Sequence, residues 1–239
     1  MKNASLLLRS FLFNAIMWTS VLVYAPLSLC TLPLPRDARY RFITQWTRFN
    51  LWCLGRICHI RFQVHGAEHL PDEPVIVASN HQSAWETLAF QVIFPPQSWV
   101  LKRELLFIPF FGWALALTWP IVINRSARRK ALRQILVAGK VRLDAGRWVV
   151  VFPEGTRRPP GALGRFGIGA ALLAKHTGRP IVPVTHDAGR FWPRRGFLKH
   201  PGVVTVTIGR PIPPEGPPEE LTARVRASVE GQNGFSTSP

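Results

Sequence analysis

The stretch Pro74-Val75-Ile76-Val77-Ala78-Ser79-Asn80-His81-Gln82-Ser83-Ala84-Trp85-Glu86 decides how the rest of the chain is read. Its first half is a short apolar run rich in β-branched residues, the composition of a strand covered on both faces. Its second half turns polar at Asn80 and leads into a helix-length segment at residues 83–93. The same rhythm of apolar run, turn and helix recurs. Residues 98–101 lead into Lys102, residues 121–123 towards Arg125, residues 148–151 into Pro153 and residues 180–184 into Thr185. Further helices are expected at 127–143 and 169–176, and the alternating run at 203–208 reads as a late strand near a sheet edge. Strands alternating with helices predict an α/β fold: a single domain with a mostly parallel sheet flanked by helices.

In such sheets the groups that do chemistry collect at the carboxyl ends of the strands. His81 falls at one such end, with Glu86 five positions on. On a continuous helix the two would lie about 140° apart, at 100° per residue, and would not meet. The pair works only if His81 stands in the strand-to-helix turn and a helix starting near Ser83 brings Glu86 back to the ring. A carboxylate there fixes the imidazole tautomer and stabilises the imidazolium formed when the other nitrogen takes a proton. Such a dyad activates a hydroxyl, either that of Ser83 or one on a substrate. No G-x-S-x-G elbow is present, which favours the substrate's own alcohol.

A second strand end carries Phe152-Pro153-Glu154-Gly155-Thr156-Arg157. Gly155 permits a close approach there, and Arg157 can grip a phosphate with two donors. Glu154, in so basic a neighbourhood, is expected to be ionised and to hold a substrate hydroxyl or to organise the arginines. Lys102, Arg103 and Arg125 add cations at two further strand ends. Gly164, Gly167 and Gly169 form neither a Walker loop nor a dinucleotide fingerprint, so no cofactor is expected.

The formal net charge is +17 and the pI about 11.5, so the surface must attract an anion. A hydrophobic fraction of 47% with nine tryptophans favours a lipid surface over nucleic acid, and no nucleic-acid partner is expected. Cys30, Cys53 and Cys58 are an odd set with no C-x-x-C pair, and the spacing of His59, His65 and His69 fits no standard metal site. Neither a disulfide framework nor a metal is expected, and the chain reads as one facing a reducing compartment.

Residues 11–29 form an apolar run of about membrane-spanning length, with Lys2 and Arg9 before it. No A-x-A-like cleavage site follows, which favours a retained anchor over a signal peptide. Residues 41–61 place Arg41, Gln45, Arg48 and Arg56 on one narrow helical arc, with Ile43, Trp46, Phe49, Leu54 and Ile57 elsewhere. That pattern suits a basic helix lying in a membrane interface, or one packing its apolar side on the core. Pro33 and Pro35 separate the two segments into a helical hairpin. The expected organisation is therefore residues 1–60 as membrane-anchoring helices, 61–212 as a catalytic domain, and 213–239 as a C-terminal helix and flexible tail.

In four ordered blocks the chain resembles the PlsC-type glycerolipid acyltransferases, the family of bacterial 1-acyl-sn-glycerol-3-phosphate acyltransferases. The blocks are Asn80-His81 with Glu86, the segment from Lys102 to Ile123-Asn124-Arg125 with Pro109, Phe110 and Gly112, the unbroken 152–157 segment, and Ile181-Val182-Pro183-Val184. They span about half the chain. The resemblance implies that His81 removes the proton from an acceptor hydroxyl with Glu86 orienting it, and that the oxygen attacks an acyl thioester carried on coenzyme A or acyl carrier protein. It further implies that Lys102, Arg103, Arg125 and Arg157 surround the phosphate of lysophosphatidic acid. Glu154, Gly155 and Thr156 then shape the glycerol site, and Asn80, Ser83 and Pro183 belong to the same substrate-binding set. The product is phosphatidic acid, at an anionic membrane surface on the cytoplasmic side of the bacterial inner membrane. One departure is Glu86 where the family has Asp. Acylation of another lysolipid or of glycerol 3-phosphate is the alternative within this chemistry. A non-catalytic basic adaptor or nucleic-acid binder is the alternative outside it, disfavoured because the cations gather with a His–acid pair at strand ends.

Overall fold

A computed structural model of the chain describes residues 2–124 and 127–232. Two long helices open it, α1 (Lys2–Leu29) and α2 (Arg36–Ile57), and the sheet begins with β1 (Ile60–His65). There follow β2 (Ile76–Ser79), α3 (Trp85–Ile93), β3 (Gln97–Lys102), α4 (Phe111–Leu117), β4 (Ile121–Ile123), α5 (Arg128–Asp144) and β5 (Trp148–Val151). The chain ends with α6 (Gly169–Thr177), β6 (Ile181–His186), β7 (Gly202–Ile208) and α7 (Pro218–Gln232). The strands form one sheet in the order β1-β7-β6-β2-β5-β3-β4. All pairings are parallel except β6 with β7.

The central strands β2, β5 and β6 are buried at every position, which explains their near-continuous apolar sequence. Their pleat divides the core in two. Val77, Val150, Val182 and Val184 point to one face, with Trp85, Phe90 and Trp148, beneath α2 and α3. Ile76, Ala78, Val149 and Val151 point to the other, with Leu143, Leu173 and Val225, beneath α5, α6 and α7. The result is a sheet between two helical layers. Helix α7 buries Leu221, Val225 and Val229 and packs on β6, so it forms part of the same core.

The expected helix over 41–61 is cut short. It stops at Ile57, His59 takes a positive φ of 55°, and Arg61 lies in strand β1. The alternation Ile60-Arg61-Phe62-Gln63-Val64 is a period of two beside parallel β7, and that long-range pairing outweighs continuation of the local helix. As a result β7 is second from the edge, covered by β1. Within α2 both expected faces exist. Arg41, Gln45, Arg48 and Arg56 are exposed, in a stripe that also shows Phe49 and Trp52, while Tyr40, Ile43, Thr47, Asn50 and Leu54 are buried.

Helix α1 is 28 residues long and begins well before the apolar run. One of its faces packs on the body through Phe13, Val21 and Ala25. The other presents Leu8, Phe11, Trp18, Leu22 and Val23, with Leu8 67% and Trp18 59% exposed. It is the one candidate span among the described residues. A polar bond ties it to the body, Ser10 Oγ accepting from the Lys199 N–H at 2.9 Å, and another ties it to α2, Tyr24 Oη donating to Phe42 O at 3.2 Å.

Candidate active site

Parallel pairing sends the carboxyl ends of β2, β3, β4, β5 and β6 to the same edge of the sheet. At the end of β2 the chain leaves the strand, makes a turn from Asn80 to Ala84 and enters α3. His81 stands in that turn, and its Nδ1 donates to Glu86 Oε1 at 2.7 Å. The same oxygen accepts the backbone N–H groups of Gln82 at 3.0 Å and Ser83 at 2.8 Å. Glu86 therefore folds back over the start of its own helix, where a negative charge meets the positive end of the helix dipole. Its side chain is fully buried. Burial pushes the carboxyl up, but the imidazoles of His186 and His81 and the Ser83 N–H outweigh it and hold Glu86 below its ordinary value. An ionised carboxylate only accepts, so Nδ1 of His81 carries the hydrogen, and in the neutral ring the lone pair is on Nε2.

Three other contacts fix the His81 residue. Its ring stacks on Phe152 at a centroid distance of 4.0 Å, its N–H donates to Glu154 Oε1 at 2.9 Å, and its C=O accepts from the Arg158 N–H at 2.7 Å. Glu154 Oε2 accepts from the Gly164 N–H at 2.8 Å, so both oxygens are engaged with backbone. Burial raises the Glu154 carboxyl above its ordinary value, against those two donors. In this geometry Glu154 clamps the His81 turn to the 152–157 turn, which Gly155 closes with φ 68°.

A cavity of about 610 Å³ opens in front of the His81 ring. Its apolar wall comes from the α1–α2 hairpin, α3, β3 and α4, including Val21, Ile43, Trp46, Leu88, Trp99 and Leu115. Its mouth is cationic: Lys102 and Arg157, joined by Arg194 and Arg195, line it with Gly155 and Thr156, and no Asp or Glu does. The cavity thus collects five residues of the expected set, His81, Lys102, Gly155, Thr156 and Arg157.

The others lie elsewhere. Asn80 and Ser83 are buried behind the turn: the Asn80 amide and the His186 backbone exchange bonds of 2.8 and 3.1 Å, and Ser83 Oγ accepts from the Trp85 N–H at 3.1 Å. Pro183 is buried within β6 and its carbonyl accepts from the Gly209 N–H at 2.8 Å. Arg103 is exposed with its guanidinium 5.7 Å from the Phe107 ring centre. Arg125 falls outside the described residues.

The sequence reading passed over three contributors. Arg194 and Arg195 sit between Pro193 and Gly196 in the loop after β6, and the sequence signal for them is their place beyond the carboxyl end of another parallel strand. His186, the last residue of β6, is fully buried: its Nε2 donates to Asn80 O at 3.1 Å, its Nδ1 accepts from the Ala188 N–H at 3.3 Å, and Nε2 lies 4.0 Å from Glu86 Oε2. Burial lowers its imidazole, against the pull of Glu86.

A mostly parallel sheet carrying a histidine–carboxylate turn at its carboxyl edge, before an apolar cavity, places the chain among α/β enzymes. Residues 61–187 match the Acyltransferase family, from the second residue of β1 to the residue after β6, and the chain belongs to that family. It is 44% identical over 225 residues to the 1-acyl-sn-glycerol-3-phosphate acyltransferase of Pseudomonas aeruginosa, covering 93% of this chain and 88% of that one. It is 34% identical over 177 residues to the human 1-acyl-sn-glycerol-3-phosphate acyltransferase alpha, covering 71% and 62%. The crystal structure of the 1-acyl-sn-glycerophosphate acyltransferase PlsC from Thermotoga maritima matches with a TM-score of 0.81 at 26% identity, over 98% of this chain and 97% of that one. The PlsC-type resemblance read from the four blocks agrees with these matches.

Proposed function

We propose that this acyltransferase moves a fatty acyl group from an acyl thioester, on coenzyme A or acyl carrier protein, to the sn-2 hydroxyl of 1-acyl-sn-glycerol 3-phosphate, giving phosphatidic acid. The observation that carries the reading is the His81–Glu86 pair opening onto an apolar cavity with a purely cationic mouth. The phosphate of the acceptor rests among the mouth cations and the acyl chain lies along the hairpin wall. Nε2 of His81 takes the hydroxyl proton, the oxygen bonds to the thioester carbonyl carbon, the carbon–sulfur bond breaks, and the departing thiolate is protonated from the imidazolium. Glu86 carries the opposing charge while His81 is cationic. Ser83, fully buried, takes no part as nucleophile.

The Ser10 bond to Lys199 and the packing of α1 on α4 support a hairpin that lies in one leaflet, since a helix held along the body does not cross away from it. Its exposed row of Leu8, Phe11, Trp18 and Leu22 faces the lipid. We place the body on the cytoplasmic side of the bacterial inner membrane, where the thioesters are made and thiols stay reduced. The test is transfer of labelled acyl from thioester to lysophosphatidic acid by membranes holding the wild type or His81→Ala. The variant should lose at least about 10²-fold in rate, the lower range of general-base assistance. Equal rates would remove His81 as the base.

A further inference from the structure

We propose that the mouth holds two phosphate groups at once, one on Lys102 and Arg157 and a second on Arg194 and Arg195 of the 191–200 loop. This rests on the acyl-transfer reading and divides its anion site in two. Charge is the first reason. Among the described residues four cations line the mouth and no carboxylate does, whereas one phosphate monoester carries about −1.5 to −2. A single lysophosphatidic acid would leave about half of that charge uncompensated in a partly enclosed space.

Position is the second reason. In the sheet β2, which ends at the His81 turn, lies between β5 and β6. Lys102 ends β3 and Arg157 follows β5 on one side, while Arg194 and Arg195 follow β6 on the other. The two pairs thus enter the cavity from the two neighbours of β2 and meet where Arg194 bonds Arg157 O. Both thioester carriers present the phosphate of phosphopantetheine, as part of a diphosphate in coenzyme A and as a phosphodiester in acyl carrier protein.

The loop is also built to hold its arginines. The Gly196 N–H bonds Pro193 O at 2.9 Å, Arg195 takes φ 58°, a conformation side-chain-bearing residues seldom adopt, and Arg194 Nη1 donates to Arg157 O at 3.0 Å. Beneath them the ammonium of Lys199, only 1% exposed, donates to Gly196 O at 3.2 Å, Phe197 O at 2.7 Å and Asn14 Oδ1 of α1 at 3.3 Å. Neither Arg194 nor Arg195 has a carboxylate partner among the described residues. The loop also falls outside the segment that matches the family, 61–187.

The experiment uses the full chain in detergent. Equilibrium titration with inorganic phosphate should count two sites per wild-type chain and one in Arg194→Ala/Arg195→Ala, whose residues are exposed and whose loss should leave the fold intact. In parallel, initial rates with lysophosphatidic acid and acyl-coenzyme A should separate the sources. Lys102→Ala should raise KM for one substrate about tenfold and Arg195→Ala should raise KM for the other, with Arg195→Lys recovering part of the loss. One phosphate site in the wild type, KM for the same substrate raised by both variants, or no change in any KM would overturn the division. If the wild type transfers no acyl group, the functional reading falls while the phosphate count still judges the two sites.

Discussion

Behind His81 most polar groups are dry and matched, with Glu86 Oε2 and Trp85 Nε1 the buried exceptions; in front of it the cations are left over. Glu86 Oε1 meets three donors, both Glu154 oxygens are bonded to backbone N–H groups, and Asn80 and His186 hold each other by three bonds. At the mouth, Lys102 and Arg195 have no carboxylate partner among the described residues, and Arg157 Nε is buried without an acceptor. The contrast separates two tasks. A base must be set in one orientation before substrate arrives, so its partners are supplied by the protein. A phosphate site must keep its donors unspent, so its partners come with the ligand.

The sharpest way to break the contrast is to damage the matched side. Glu86→Gln keeps the shape but leaves one acceptor oxygen for three donors and removes the charge that balances the imidazolium. We expect kcat to fall about 10²-fold with KM nearly unchanged, which steady-state rates at saturating substrate will check. A variant whose KM rises while kcat holds would show that Glu86 serves binding instead.

The unmatched side should answer to salt. Exposed cations lose their reach as the Debye length shrinks from about 14 Å at 0.05 M to about 4 Å at 0.5 M, the scaling of 10 Å at 0.1 M. The KM for both phosphate-bearing substrates should rise several-fold over that range in the wild type, and for one of them less in Arg194→Ala/Arg195→Ala. The kcat, governed by the buried turn, should move little.

How far the sequence showed these two sides differs for a physical reason. The sheet was legible because β2, β5 and β6 are buried on both faces and so are written as apolar runs, and the His81 turn was legible because five-residue spacing excludes a continuous helix. Strand β1 was not: its pairing with β7 joins Ile60 to Gly202, and no local pattern announces a partner that far along the chain. Glu154 was read as facing substrate, but which way a carboxylate turns depends on where the His81 and Gly164 N–H groups lie, and that is known only once the two turns are folded together. Arg194 and Arg195 reach the mouth through a loop held by Lys199 against α1, again a contact between distant segments.

The smallest expected effect tests whether the matched side reaches as far as His186. Its imidazole is fully buried and lowered from an ordinary 6.5, whereas in the unfolded chain it titrates near that value. As pH falls below 6.5 the unfolded state binds a proton that the native state refuses, so stability should decline from there down to the depressed native value. His186→Gln retains an amide donor for Asn80 O but does not titrate, and its thermal midpoint should fall less on acidification than that of the wild type. Glu154, raised by burial, contributes with the opposite sign, since its native state binds a proton before its unfolded state does. That contribution is present in both proteins and cancels when their midpoints are subtracted. Across pH 6.5 to about 5 the difference should therefore change by a few degrees, the scale of about 1 kcal/mol in a chain of this size. Parallel curves would mean that His186 titrates alike in the folded and unfolded chains, and a wild type that gains on the variant as pH falls would mean that His186 already carries its proton in the folded state, so that the turn behind His81 owes its order to charge as well as to hydrogen bonds.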